Sequence, residues 1–151
     1  MRIIVDANIV FSAILNTNSK IADILMNSKG IFDFLAPDYL QIELRKYHSK
    51  ISKISNLTIS EIENVESKIT KPIVFMSGIH IPESKWISAE NMVINIDPKD
   101  TPYIAFSLFY KCKIWSGDKA LRKGLENKGF KSIISTEELF DIRESKQKVK
   151  K

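Results

Sequence analysis

The chain has 151 residues, only one cysteine (Cys112) and no apolar run long enough to cross a membrane. A single cysteine excludes an intrachain disulfide and a cysteine-based zinc site, so a reducing, cytoplasmic setting is expected. A transmembrane helix needs about 18 consecutive apolar residues, so no membrane contact is expected either. The opening Met1–Asp6 reads as a short buried strand that ends on an acid, and it lacks the long apolar segment of a secretory signal.

Glycine-rich phosphate loops, internal repeats and low-complexity linkers are also missing. Their absence argues against the usual nucleotide-binding fingerprints and against a repeat architecture. A chain of this length with 44 % hydrophobic residues can bury one normal core. We therefore predict a single domain over residues 1–143, followed by a basic carboxy-terminal tail over residues 144–151.

The net charge is 23 − 18 = +5, which favours a polyanionic partner without identifying one. Much of the excess lies in the lysines of residues 146–151, and a tail of this kind is more often a solvated, mobile end than a binding element. Charge alone is therefore weak evidence for nucleic-acid binding.

Short apolar runs alternate with segments of helical periodicity, which predicts an α/β fold with a parallel sheet and helices on both faces. The strands are predicted at residues 2–5, 31–36, 73–76, 93–96, 113–116 and 132–134. The helices are predicted at residues 7–15, 20–27, 38–51, 59–69, 82–91, 101–111, 119–127 and 136–143. The second helix should close at Gly30, and Pro37 should stop the second strand.

Three of these apolar runs end on an aspartate: Asp6, Asp97 (with Asp100 just beyond) and Asp118. The carboxyl ends of parallel strands share one edge of the sheet, so these acids should converge there. Two carboxylates about 5 Å apart repel by roughly 3 kcal/mol at an effective dielectric of about 20. One aspartate acting as a helix cap contributes only about 1 kcal/mol. Capping explains each acid alone, but a converging set points to a bound cation.

Other polar residues flank these acids. Asn8 could orient Asp6 or contact a phosphate, and Ser116 could hydrogen-bond a ligand. Asp97 and Asp100 both lie at a helix start, where the positive end of the helix dipole favours negative charge. We expect Asp97 to shape the turn and Asp100 to meet the metal.

Together these patterns resemble a PIN-domain nuclease over nearly the whole chain. The resemblance rests on Asp6-x-Asn8 after the first strand, on Glu43 in an early helix, on the stretch 97–105 opening a late helix, and on Ser116-x-Asp118 after the next strand. The closing stretch 129–139 also fits the family pattern. Residues 71–91 match it least well.

The resemblance implies a three-layer α/β/α sandwich around a central parallel sheet. It also implies Mg²⁺ or Mn²⁺ held by Asp6, Glu43, Asp100 and Asp118, with Asn8, Asp97 and Ser116 in support. Carboxylate oxygens suit these hard cations. The reaction it implies is in-line hydrolysis of a phosphodiester, leaving a 5′-phosphate and a 3′-hydroxyl.

Many small members of the family resemble VapC-like toxins, which are ribonucleases held inactive by an antitoxin protein and are often dimers. An endoribonuclease toxin is therefore our first expectation, with an RNA substrate, a possible antitoxin and a possible homodimer. A PIN nuclease of RNA maturation or structured DNA, and a catalytically idle module that binds RNA or protein, stay open. Basic side chains near the acids are candidates for substrate binding: Arg45, Lys46, Lys119, Arg122 and Lys123.

Overall fold

A five-stranded parallel sheet forms the centre of the computed structural model, which describes residues 1–150. Its strand order is β3-β2-β1-β4-β5, and every neighbouring pair is parallel. The strands are β1 (Arg2–Val5), β2 (Asp33–Pro37), β3 (Ile73–Met76), β4 (Lys113–Trp115) and β5 (Ile133–Ile134).

Helices cover the sheet and complete the predicted α/β/α sandwich. They are α1 (Ala7–Leu15), α2 (Lys20–Met26), α3 (Tyr39–Lys46), α4 (His48–Ser55), α5 (Ile59–Thr70), α6 (Glu83–Val93), α7 (Thr101–Tyr110), α8 (Lys119–Asn127) and α9 (Thr136–Lys150). α7 packs on the central strands and against α6, whereas α1 packs against α2 and α5. Within residues 1–150, none of the helices combines the length and the apolar character needed to cross a membrane.

The central strand β1 is apolar because both of its faces are covered. Ile3, Ile4 and Val5 are all fully buried. Continuous apolar runs of this kind are typical of strands in parallel sheets with helices on both sides. On β4, Trp115 is fully buried with its ring centroid 5.7 Å from that of Phe34 on β2. The sheet core therefore fixes the ends of β1 and β4.

One predicted strand is wrong. Residues 93–96 form no strand, because α6 continues through Val93 and a turn follows it. Ile96 instead fills the space left by Gly124 on α8, where a β-carbon would come within 2.7 Å of the Ile96 Cδ1 atom. Ile96 therefore packs against α8, whereas Ile94 in the same turn is exposed. Asp97 and Asp100 consequently reach the sheet edge from a turn.

Other element boundaries also differ from prediction. The helix predicted over residues 38–51 is two helices, α3 and α4, separated at Tyr47. Pro37 is the last residue of β2 rather than its stop. Asn27 caps α2, and Gly30 lies in the following turn with a φ of +81°.

The last helix is longer than predicted, since α9 continues to Lys150 instead of ending at residue 143. Arg143 anchors it to the domain with a side chain that is only 5 % exposed. Its Nη2 donates to Asp23 Oδ2 on α2 at 2.7 Å. Burial of this cation against α2 ties the helix to the core.

Candidate active site

The carboxyl ends of β1 and β4 form the topological switch point of the sheet, because β2 and β3 lie beyond β1 whereas β5 lies beyond β4. Ligands of open parallel sheets bind at such a point. Val5 and Trp115 are register partners, and the Asp6 N–H donates to the Trp115 carbonyl at 3.2 Å. Asp6 and Ser116 therefore leave the sheet side by side.

Ser116 connects two of the predicted acids. Its buried hydroxyl donates to Asp6 Oδ2 at 3.0 Å and accepts the Asp118 N–H at 3.1 Å. Asp118 Oδ1 accepts the Leu121 N–H at 3.0 Å and so caps α8. Asp6 is only 5 % exposed. Ser116 thus fixes its position relative to the loop that carries Asp118.

Glu43 on α3 is half-buried, and its partner was not predicted from the sequence. The Tyr103 hydroxyl on α7 donates to Glu43 Oε1 at 2.6 Å. Tyr103 is 2 % exposed and lies three residues after Asp100, so both residues share one face of α7. That spacing, with a tyrosine inside a buried apolar helix, is the sequence signal for its role.

Asp97 and Asp100 have different environments. Asp97 Oδ1 accepts the Lys99 N–H at 3.0 Å and caps a single 3₁₀ turn over Pro98–Asp100. Asp100 precedes α7 but makes no side-chain capping bond there. The Asp97 side chain thus shapes the turn, and the Asp100 carboxylate is left available for another partner.

Burial, with repulsion between neighbouring carboxylates, raises the pKa values of three carboxyl groups of the site, those of Asp6, Glu43 and Asp100. Burial raises the pKa of Asp100 to about 7, and the nearby charges of Asp6, Asp97, Asp118 and Glu43 add to this rise. Burial likewise raises the pKa of Asp6 to about 6, against the opposing hydrogen bond from Ser116. Negative charge is therefore concentrated at this edge of the sheet.

A cleft of about 360 Å³ opens over these acids. Its polar part contains five of the predicted site residues, namely Asp6, Asn8, Glu43, Asp97 and Asp100. Its other wall is formed mainly by apolar side chains: Phe11, Leu15, Tyr47, Ile51 and Ile54. Asp118 lines an adjoining depression with Ser116 and Lys119. The cleft thus combines an anionic floor with an apolar wall.

Two basic residues of the cleft were not among the predicted candidates. Lys50 and Lys99 both line it, and the charge of Lys99 acts on Glu43. Lys50 lies on α4, beyond the break at Tyr47 that the sequence did not predict. Lys99 lies between Asp97 and Asp100, and this position in the acidic motif was not predicted to bind substrate.

The predicted basic residues are more dispersed. Arg45 and Lys46 are exposed at the end of α3, and the charge of Lys46 acts on Glu43. Arg122 is bound by Glu126 at 3.2 Å and by Glu138 at 2.7 Å, so its charge is already balanced. Lys123 is exposed on α8.

The donor set suits a hard divalent cation, since every candidate ligand is a carboxylate. Glu43 and Asp118 each accept a hydrogen bond at one oxygen, from the Tyr103 hydroxyl and the Leu121 N–H respectively, which leaves their second oxygens for a cation. As they stand, the described residues contain no group of three or more acid, histidine or cysteine side chains close enough to hold a metal ion. Metal binding would therefore require these carboxylates to move closer together.

The charge cluster predicts that Asp100→Asn stabilises the protein in EDTA at pH 8. Because the folded pKa is raised from 3.8 to about 7, the folded state holds the proton more tightly than the unfolded state. Stability from this group is complete below the unfolded pKa and is lost as pH rises through about 7. With solvent screening, we expect a gain of about 1–2 kcal/mol at pH 8 and almost none at pH 4.

Urea unfolding of both proteins at the two pH values measures this effect. Asp141→Asn, at an exposed acid on α9, is the matched control and should leave stability unchanged. Equal destabilisation of Asp100→Asn at both pH values would contradict the clustering of charge.

The sequence was compared with known families and proteins. The pattern of the PIN domain matches residues 4–142. No curated protein matches the chain. The matched range contains the end of β1 from Ile4, the other four strands, the switch point and every predicted acid. The chain belongs to the PIN-domain family, and hence to a family of nucleases.

Proposed function

We propose that the protein is a metal-dependent endoribonuclease and the toxin of a toxin–antitoxin pair. The observation that supports this proposal is the placement of Asp6, Glu43, Asp100 and Asp118 around the switch point, where burial and, after it, the charges of the other acids raise the pKa of Asp100 to about 7. These acids come from four different elements, so helix capping alone does not account for their convergence. A nuclease site accounts for it directly.

In this proposal Asp6, Asp100 and Asp118 bind Mg²⁺ or Mn²⁺, and Glu43 either ligates the ion or holds a water bound to it. When bound, such an ion lowers the pKa of water and stabilises the leaving oxygen of a phosphodiester. The raised pKa values of Asp6 and Asp100 support a cation here, because positive charge would favour their ionised forms.

The other residues position the acids and the substrate. Ser116 fixes one oxygen of Asp6, and Tyr103 fixes one oxygen of Glu43. Lys50 and Lys99 line the cleft and supply positive charge for a phosphate group. The exposed Asn8 amide lines the same cleft. Arg45, Lys46, Lys119 and Lys123 extend this role to more distant phosphates. Arg122 serves it less well because two glutamates already bind it.

The remaining features rest on the resemblance to small PIN toxins. An antitoxin partner, a homodimer and a cytoplasmic location belong to this proposal. So does the division into a nuclease domain over residues 1–143 and a basic segment over residues 144–151. The alternatives are a PIN nuclease of RNA maturation or structured DNA, and an idle module that binds RNA or protein.

Purified protein should cleave a mixed pool of single-stranded RNA in Mn²⁺ or Mg²⁺ and not in EDTA. Asp118→Asn should lose at least 100-fold in rate, on the order of the loss of one electrostatic group in other active sites. Gel analysis of the products measures the rate, and 5′-phosphate ends would identify the expected chemistry. Absence of both cleavage and metal-induced thermal stabilisation would favour the idle module.

Tyr103→Phe should lower the apparent affinity of the enzyme for Mn²⁺, because Glu43 would no longer be held in place. Loss of a hydrogen bond to a charged group costs about 1.5–3 kcal/mol, so the half-saturating Mn²⁺ concentration should rise about tenfold or more. Tyr110→Phe on the same helix is the control. A variant that melts earlier but keeps the wild-type Mn²⁺ midpoint would assign Tyr103 a purely structural role.

Expression of the chain alone in a bacterial host should arrest growth if it is a toxin. Asp118→Asn should abolish the arrest, and co-expression of the protein encoded by the neighbouring gene should relieve it. Growth counts over an induction time course measure both effects. RNA cleavage in vitro without any growth arrest would favour a maturation nuclease.

A further inference from the structure

The sheet separates charge between its two edges. Its amino edge carries six exposed basic residues that begin or precede the strands: Arg2, Lys29, Lys71, Lys111, Lys113 and Lys131. We call this set the basic edge. The acids of the cleft lie at the opposite, carboxyl edge. Strand β1, with four residues at about 3.3 Å each, separates the two edges by about 13 Å.

Two depressions open on the basic edge. Arg2, Lys111 and Lys113 line one of about 330 Å³, and no acidic residue within residues 1–150 lines it. Lys29 and Lys71 line the other, which contains one acid, Asp33. Five of the six basic residues therefore lie in two depressions on this edge.

The basic residues of the first depression keep their charge available. Arg2 donates to the Tyr110 carbonyl at 3.2 Å and lies over the Tyr110 ring, so its guanidinium is oriented without being neutralised. No ion pair involves Arg2, Lys111 or Lys113 in the described part of the chain. Their charges face solvent.

Helix dipoles explain only part of this arrangement. Four helices (α2, α5, α7 and α8) end just before the strands at this edge. Each carboxyl end carries about half a negative charge, so together they offset about two positive charges. Six cations and one acid leave a larger surplus than that. The surplus indicates an external polyanion.

We propose that the basic edge binds the phosphate backbone of RNA outside the cleavage site, so that long substrates are anchored there. This inference rests on the proposed ribonuclease function. The cleft supplies less of this attraction, because the carboxylates on its floor repel phosphates and offset the positive charges of Lys50 and Lys99. Backbone contacts of this kind give affinity without sequence preference.

The test compares a single-stranded RNA of about 30 nucleotides with one of about four, which fits the cleft but cannot reach the basic edge. The variant is Lys111→Gln with Lys113→Gln. Lys53→Gln with Lys85→Gln, at exposed lysines of α4 and α6, is a control of equal charge. Binding is measured by fluorescence anisotropy in EDTA across a salt series, and cleavage of both RNAs is measured in Mn²⁺.

The variant should bind the long RNA several-fold more weakly, with a slope of log K against log [salt] that is smaller by about 1.4. Its cleavage of the short RNA should equal that of the wild type. Unchanged binding of the long RNA, or the same loss in the control, would overturn the inference. If the wild type cleaves neither RNA, the proposed function itself fails.

Two further measurements complete the test. Thermal melting should be the same for variant and wild type, because both lysines are exposed. Vesicles containing phosphatidylserine test the other polyanion that a basic surface can meet. Binding to vesicles that is lost in the variant, with RNA binding unchanged, would replace the RNA backbone by a lipid surface.

Discussion

Repulsion among carboxylates at the ends of β1 and β4 is the constraint on which the site depends. Asp6 is buried at the end of the central strand, and its negative charge contributes to the raised pKa of Asp100. The fold counters this repulsion with the Ser116 hydroxyl and with the amino ends of α1, α7 and α8, which begin directly after Asp6, Asp100 and Asp118. These compensations are partial, because burial and the neighbouring negative charges still hold the pKa of Asp100 near 7.

The same side chains that restrain the acids also leave them able to act. Tyr103 and Ser116 each occupy one carboxylate oxygen, which fixes the orientation of Glu43 and Asp6. The bond from Tyr103, at 2.6 Å, is in the short range typical of charged acceptors, and the bond from Ser116 is longer at 3.0 Å. Both are directional and limit side-chain rotation. Because the rotation of these two side chains is already limited, the protein would lose less conformational entropy when the carboxylates move together around a cation. Functional sites commonly carry such local conflicts, which the rest of the fold compensates.

The sequence predicts most of the fold because strand and helix patterns here are clear. Asp6 and Asp118 were placed correctly at strand ends, since the runs before them are apolar and short. The run before Asp97 is also short and apolar, yet Ile96 packs against Gly124 of α8 and Ile94 is exposed. Composition alone cannot distinguish these two environments.

Long-range contacts were the part that the sequence could not predict. The bond between Tyr103 and Glu43 joins residues sixty positions apart, and no local periodicity encodes it. The basic edge was hidden for a related reason. Its lysines are scattered along the chain, and only the strand order brings them to one side of the sheet.

The route by which Asp100 reaches the cleft has a consequence for variation within the fold. Asp6 and Asp118 follow strands of the sheet, whereas Asp100 follows a turn anchored by Ile96 at Gly124. Insertion or deletion of one residue between 93 and 97 would leave every strand pair intact and still displace the start of α7. The length of this short connection therefore sets the width of the cleft independently of the sheet.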